Sequence, residues 1–130
     1  MVEIILEGIP RPLKRPRFTK TGRVYNEQSS EMLINFLDIK KQWGTNPLLV
    51  DPIHIDIEFI FPIPSSYSVL KQRNMKKSFH KIKPDIDNLV KKCLDEMTGA
   101  CYTDDNIIAS IAARKIYGSE GKTIINIKKL

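Results

Sequence analysis

Between residues 53 and 61 the chain alternates without a break. Ile53, Ile55, Ile57, Phe59 and Phe61 point one way, and His54, Asp56, Glu58 and Ile60 the other. A period of two held that long marks a β-strand with one buried face. Pro62 and Pro64 stop it. Such a strand needs a sheet around it and a layer over its apolar side. Two segments have the 3.6-residue spacing for that layer. From Ser29 to Trp43 the apolar positions are Met32, Leu33, Phe36, Leu37 and Ile39, with Ser29 or Ser30 as the cap and Gly44 as the end. From 86 to 97 they are Ile86, Leu89, Val90, Cys93, Leu94 and Met97, with Asp87 suited to the N-cap and Gly99 to the C′ position. The remaining strand candidates are 2–9, 107–117 and 123–128. Gly118-Ser119-Glu120-Gly121 suggests a hairpin between the last two. The 107–117 pattern also fits a helix, and the turn signal after it favours a strand. The expected fold is α+β: one small domain over 1–130, a mixed β-sheet and two main helices, in the order β-α-β-loop-α-β-β.

A chain of 130 residues suits one domain and buries roughly two-thirds of its unfolded surface, so its core needs no disulfide or structural metal. No apolar run approaches the ~20 residues of a membrane span. The N-terminus, Met-Val-Glu-Ile-Ile-Leu-Glu, lacks the basic start and small-residue cleavage site of a secretory signal. Cys93 and Cys101 are the only cysteines, too few for a thiolate zinc site or a disulfide framework. A cytoplasmic setting with no membrane partner is the expectation.

Charge narrows the partner. The chain has 21 Lys and Arg against 15 Asp and Glu, a net charge of +6. Arg11, Lys14, Arg15, Arg17, Lys20 and Arg23 follow one another with no acid between them, as do Lys71, Arg73, Lys76, Lys77, Lys81 and Lys83. Two acid-free basic segments in so short a chain point to a polyanion, with Lys14, Arg15, Arg17, Lys76 and Lys81 as candidates for phosphate contacts. The second segment lies in the long connection between Pro62 and Pro84, and such connections are usually functional or disordered.

Several machineries are missing. No phosphate-cradling Gly-rich loop, dinucleotide fingerprint, HExxH or Gly-x-Ser-x-Gly occurs, so no organic cofactor is expected. His54 and His80 are the only histidines. The acids cluster instead. Asp85 and Asp87 stand where the second basic segment meets a helix, and Lys91 follows Asp87 by one turn. Asp104 and Asp105 follow that helix and can return beside them. An Asp before a helix is commonly just a cap, and paired acids after one are commonly a solvated turn. Yet carboxylates ~4 Å apart repel by ~1 kcal/mol in water and ~4 near a protein surface. Grouped acids therefore attract a cation, and oxygen ligands suit Mg²⁺ or Mn²⁺. A carboxylate-held divalent ion between basic segments is what phosphodiester hydrolysis uses.

Lys83-Pro84-Asp85-Ile86-Asp87-Asn88-Leu89-x-Lys91, then Leu94-Asp95 and Tyr102-x-Asp104-Asp105, resembles the RusA family of Holliday junction resolvases. Gly8-x-Pro10-x-Pro12-x-Lys14-x-Pro16-Arg17-Phe18 is similar to that family's N-terminal part. The resemblance implies a small dimeric α+β endonuclease that cuts branched, four-way DNA with Mg²⁺, for which Mn²⁺ substitutes. It implies metal ligation and catalysis by Asp85, Asp87 and Asp105, with Lys91 as the essential lysine. The choice of Asp105 over Asp104 rests on the resemblance. Some family members carry arginines directly before the first aspartate, where this chain has Lys83-Pro84. The rival expectations are a basic nucleic-acid-binding module without catalysis and a broader metal-dependent flap or single-strand nuclease. A four-way junction needs two opposed cuts, so a two-fold homodimer is expected. The first strand and the C-terminal hairpin are the candidate interface.

Overall fold

The computed structural model describes residues 1–14, 17, 18, 22, 24, 25 and 28–130. In chain order its elements are β1 (Val2–Glu7), a two-residue pair β2 (Arg17–Phe18) and β3 (Val24–Tyr25), α1 (Ser29–Trp43), β4 (Ile53–Pro62), α2 (Val69–Met75), α3 (Ile86–Met97), a 3-10 turn (Asp105–Ile107), β5 (Ile108–Gly118) and β6 (Lys122–Lys129). The sheet runs β1-β6-β4-β5, with β4 antiparallel to β6 and parallel to β5. The expected mixed α+β sheet is present, with α1 and α3 as its main helices. The long basic connection also holds a third, short helix, α2, capped by Ser68 Oγ accepting from the Lys71 amide at 3.1 Å.

The expected C-terminal hairpin is not formed. β5 and β6 are adjacent in sequence, but β4 lies between them. Ile53, Ile55 and Ile57 of β4 are fully buried, and a strand this apolar is best placed at the sheet centre, hydrogen-bonded along both edges. The link through Ser119–Gly121 must then cross two strand spacings, about 10 Å, within the reach of three extended residues. Its glycines serve close approach. A Cβ on Gly118 would stand 2.6 Å from Ile60 Cγ2, and one on Gly121 would stand 2.8 Å from Ile9 Cα. The crossing also explains why Ile60, on the polar side of β4 by alternation, is buried.

Ile4, Leu6, Ile125 and Ile127 join the odd residues of β4 in one core, closed by Ile39, Trp43, Leu89, Cys93 and Met97 from the helices. Each fully buried Ile or Leu contributes roughly 1.5–3 kcal/mol over an exposed one. Cys93 is a core residue whose thiol is pushed upward by burial, and the Cys101 thiol is pushed up to about 12 for the same reason.

α1 sits in another rotation than its apolar stripe predicts. It buries Ile39 and Trp43 and leaves Leu33 and Leu37 exposed. Polar contacts set that rotation. Gln42 occupies the free edge of β1, accepting from the Ile5 amide at 2.9 Å and donating to the Ile5 carbonyl at 2.8 Å. Asn35 donates to Glu96 at 2.6 Å. Gln28, rather than Ser29 or Ser30, precedes the first turn, and Gly44 ends the helix at φ 67° as expected. In α3 the N-cap is Asp85, not Asp87, and Ile86 is exposed while Lys92 and Glu96 are buried.

Candidate metal and nucleic-acid site

Pro84 delivers the chain to α3 in an extended conformation, so Asp85 stands at the helix entrance with φ −72° and ψ 141°. Its carboxylate makes no capping bond to the helix. Lys83 holds it instead, with Nζ at 3.0 and 3.1 Å from the two oxygens. Asp87 lies in the first turn, where the positive helix end favours an anion. Lys91 and Asp95 follow at spacings of four, so the three share one helix face. Lys91 donates to Asp95 at 2.8 Å. The Asp95 bond, Asp95's charge and the charge of Asp105 together raise the Lys91 pKa. Its ammonium stays protonated across the neutral range.

Tyr102 brings the later acids back. It is fully buried, its hydroxyl donates to the Leu94 carbonyl at 2.8 Å, and its carbonyl accepts from the Gly99 amide at 2.7 Å. The return turn is thereby fixed against α3. The two adjacent acids differ in what they do there. Asp104 Oδ1 accepts from the Asn106 amide at 3.0 Å and caps the 3-10 turn. Asp105 makes no such bond and lies near enough to act on Lys91. A cleft of about 420 Å³ opens between the two elements, lined by Asp95, Thr98, Thr103, Asp104 and Asp105.

The described start of the first basic segment and the end of the second reach the α3 entrance. The N-terminal one is fastened by the Gly8 amide to the Gly121 carbonyl at 3.1 Å and by the Leu13 amide to the Asn88 carbonyl at 3.3 Å. Buried Gln28 clamps it further, accepting from the Lys14 amide at 2.6 Å and donating to the Pro12 carbonyl at 2.8 Å. Nothing in the sequence distinguishes Gln28 from a surface glutamine. The second segment runs along the free edge of β5. The Lys77 amide donates to Tyr117 O, the Tyr117 amide to Ser78 O and the His80 amide to Lys115 O, each at 2.9 Å. Lys76 and Lys81 are exposed on it, and Lys14 is exposed on the first segment. Arg17 lies in β2, paired with Tyr25, and Arg15 falls outside the described residues. Between the segments a groove of about 490 Å³ runs beside Asp85, walled by Ile9, Pro10, Pro12, Phe61, Lys83 and Asn88.

Asp85, Asp87 and Asp105 suit a hard divalent cation in kind. They are oxygen donors on neighbouring elements, and none caps a helix in the manner of Asp104. They do not converge in position: among the described residues no three Asp, Glu, His or Cys side chains lie close enough to hold a metal. Among the same residues no helix is long and apolar enough to cross a membrane.

Residues 7–128 match the family model described as endodeoxyribonuclease RusA. An uncharacterized protein of Bacillus subtilis strain 168, YqaN, is 25% identical over 137 aligned positions, which cover 99% of this chain and 96% of that one.

Proposed function

We propose, from the premise that the chain belongs to the RusA family of endodeoxyribonucleases and so to the Holliday junction resolvases, that this protein resolves four-way DNA by paired symmetric nicks. RusA nucleases depend on divalent metal. In this reading the ion is Mg²⁺, replaceable by Mn²⁺, and Asp85, Asp87 and Asp105 would hold it. The observation that carries the proposal is the meeting of the described start of the first basic segment and the end of the second at the α3 entrance, where Asp85 and Asp87 stand. Carboxylates beside phosphate-binding cations suit a site where a divalent ion bridges acid and phosphate.

When bound, a divalent ion supplies activated water and offsets charge on the scissile phosphate. The chain's own residues do the rest. Lys91, kept charged by Asp95 and Asp105, presents a cation one turn from Asp87, where it orients the attacking water or balances phosphate charge. Lys83 offsets the charge of Asp85 until DNA arrives. Lys14, Arg15, Arg17, Lys76 and Lys81 bind phosphates and set the register of the junction without reading bases. The working unit is a homodimer, because each chain carries one such acid set and a resolved junction needs two cuts. An enzyme of this kind works in the cytoplasm beside the DNA, in recombination and repair.

The test is incubation of purified protein with Mg²⁺ and, separately, a synthetic four-way junction, a flap and a plain duplex. Paired nicks in the junction alone are expected. Cleavage of none would favour a non-catalytic binding module, and equal cleavage of all would favour a broader nuclease. Sedimentation at micromolar concentration checks the dimer, and a monomer that makes both cuts in one binding event would overturn that part. For the DNA contacts, Lys76→Ala with Lys81→Ala should lower the slope of log affinity against log salt by about two. An unchanged slope would remove those lysines from the DNA surface.

A further inference from the structure

Lys115 on β5 is an unusual half-buried lysine. A lysine withdrawn from water normally meets a carboxylate, as Lys92 does with Glu31 and Glu96. Among the described residues Lys115 meets none. Its ammonium donates to two backbone carbonyls, Ile82 O and Pro84 O, each at 2.7 Å. Those carbonyls flank Lys83, and Pro84 is the last residue before Asp85. Lys115 also holds the same segment through its own backbone, its carbonyl accepting from the His80 amide at 2.9 Å. Beneath that segment His80 stacks on Phe61 with ring centroids 3.9 Å apart and leans on Tyr117 at 5.1 Å. The loop that leads into the acids therefore rests on a fixed floor, with one cation tying down its last three residues.

We propose that Lys115 is the positioning residue of the Asp85 carboxylate. By fixing the carbonyls on either side of Lys83 it sets the direction in which the Lys83 and Asp85 side chains leave the backbone. It also leaves a positive charge, with no carboxylate partner of its own, under the helix entrance. The role rests on the reading of Asp85 as a ligand of the cutting site. Partners that orient a ligand of this kind typically govern activity by 10- to 100-fold without touching substrate.

Lys115→Met keeps the stem and removes the donors; Lys115→Arg keeps a cation with several donors. In the metal-free protein, the NMR order parameters of the Asp85 and Ile86 amides should fall from about 0.85 to below about 0.6 in Lys115→Met. Those of β4 should stay unchanged, and Lys115→Arg should restore the entrance. At saturating junction and Mg²⁺, the cleavage rate of Lys115→Met should fall by about 10- to 100-fold, with junction affinity within twofold of the parent. Lys115→Arg should recover most of that rate. Unchanged order at Asp85, unchanged cleavage, or unfolding of the whole chain in Lys115→Met would each overturn the proposal. If the parent protein cuts no junction, the functional reading fails by itself, while the order parameters still decide whether Lys115 holds the entrance.

Discussion

Helix α3 carries two lysine–carboxylate pairs of identical spacing, offset by one residue. Lys91 and Asp95 stand 2.8 Å apart with the lysine side chain 57% exposed, while Lys92 and Glu96 stand 3.2 Å apart with the lysine only 5% exposed. One step along the helix turns a side chain by about 100°, which here separates the solvent face from the core. The inner pair belongs to a network. Lys92 also meets Glu31 at 3.0 Å, and Asn35 donates to Glu96 at 2.6 Å, tying α1 to α3. Burial pushes the Glu96 carboxyl up, and its bonds to Asn35 and Lys92 oppose that rise. The outer pair ties nothing together; it faces Asp105 and the cleft. The same local chemistry thus ties two helices together on one face and stays open to solvent on the other.

The sharpest way to break this comparison is on the outer face. Asp87→Asn should lower junction cleavage at least ~10³-fold, about 4 kcal/mol of transition-state stabilisation. Its unfolding midpoint should hardly move, and junction binding should remain. Binding that falls together with cleavage would make Asp87 structural. The inner face should behave oppositely. Lys92→Met strands two carboxylates and should cost about 3 kcal/mol in urea unfolding, while the folded fraction cleaves at close to the parent rate. Loss of cleavage without loss of stability would erase the distinction.

His80 extends the contrast to a buried group away from α3. Burial, then the charge of Lys115, lowers its pKa from the ordinary 6.5. The fold therefore prefers the neutral ring and the unfolded chain binds the proton more readily. Stability is fully present above pH 6.5 and declines as the pH falls through and below it. Urea midpoints measured from pH 8 to pH 5 should record that decline, and His80→Phe should flatten it. The smallest effect belongs to the outer pair itself. Asp95→Ala should change stability by less than ~0.5 kcal/mol and should bring the Lys91 pKa down, readable by NMR titration. A larger stability loss would mean that the exposed pair supports the fold after all.

The central strand, both main helices and the placement of acids at an α3 entrance were legible because each is written within a few neighbouring residues. Alternation at Ile53–Phe61 is a period, and so is the spacing of Leu89, Cys93 and Met97. Pro84 followed by Asp85 is a boundary mark. The rotation of α1 was not legible. Leu33 and Leu37 are as apolar as Ile39, and what chose between them was Gln42 reaching Ile5 and Asn35 reaching Glu96, partners distant in the chain. The hairpin reading failed for a related reason. Gly118 and Gly121 do mark a tight place, but it is a close approach to Ile60 and Ile9 rather than a turn between paired strands.

By itself the sequence determined the main strands and the two main helices, where the two basic runs lie and which carboxylates accompany them, since covalent order and short-range periodicity suffice for these. Only the tertiary structure decided that β4 separates β5 from β6 and that Asp104 caps a turn while Asp105 does not. It alone put Gln28 under one basic segment and Lys115 under the other. Each of these depends on which distant residue fills a given space or accepts a given hydrogen bond. That choice is made by the packing of the whole chain, where burial leaves every donor in need of a partner.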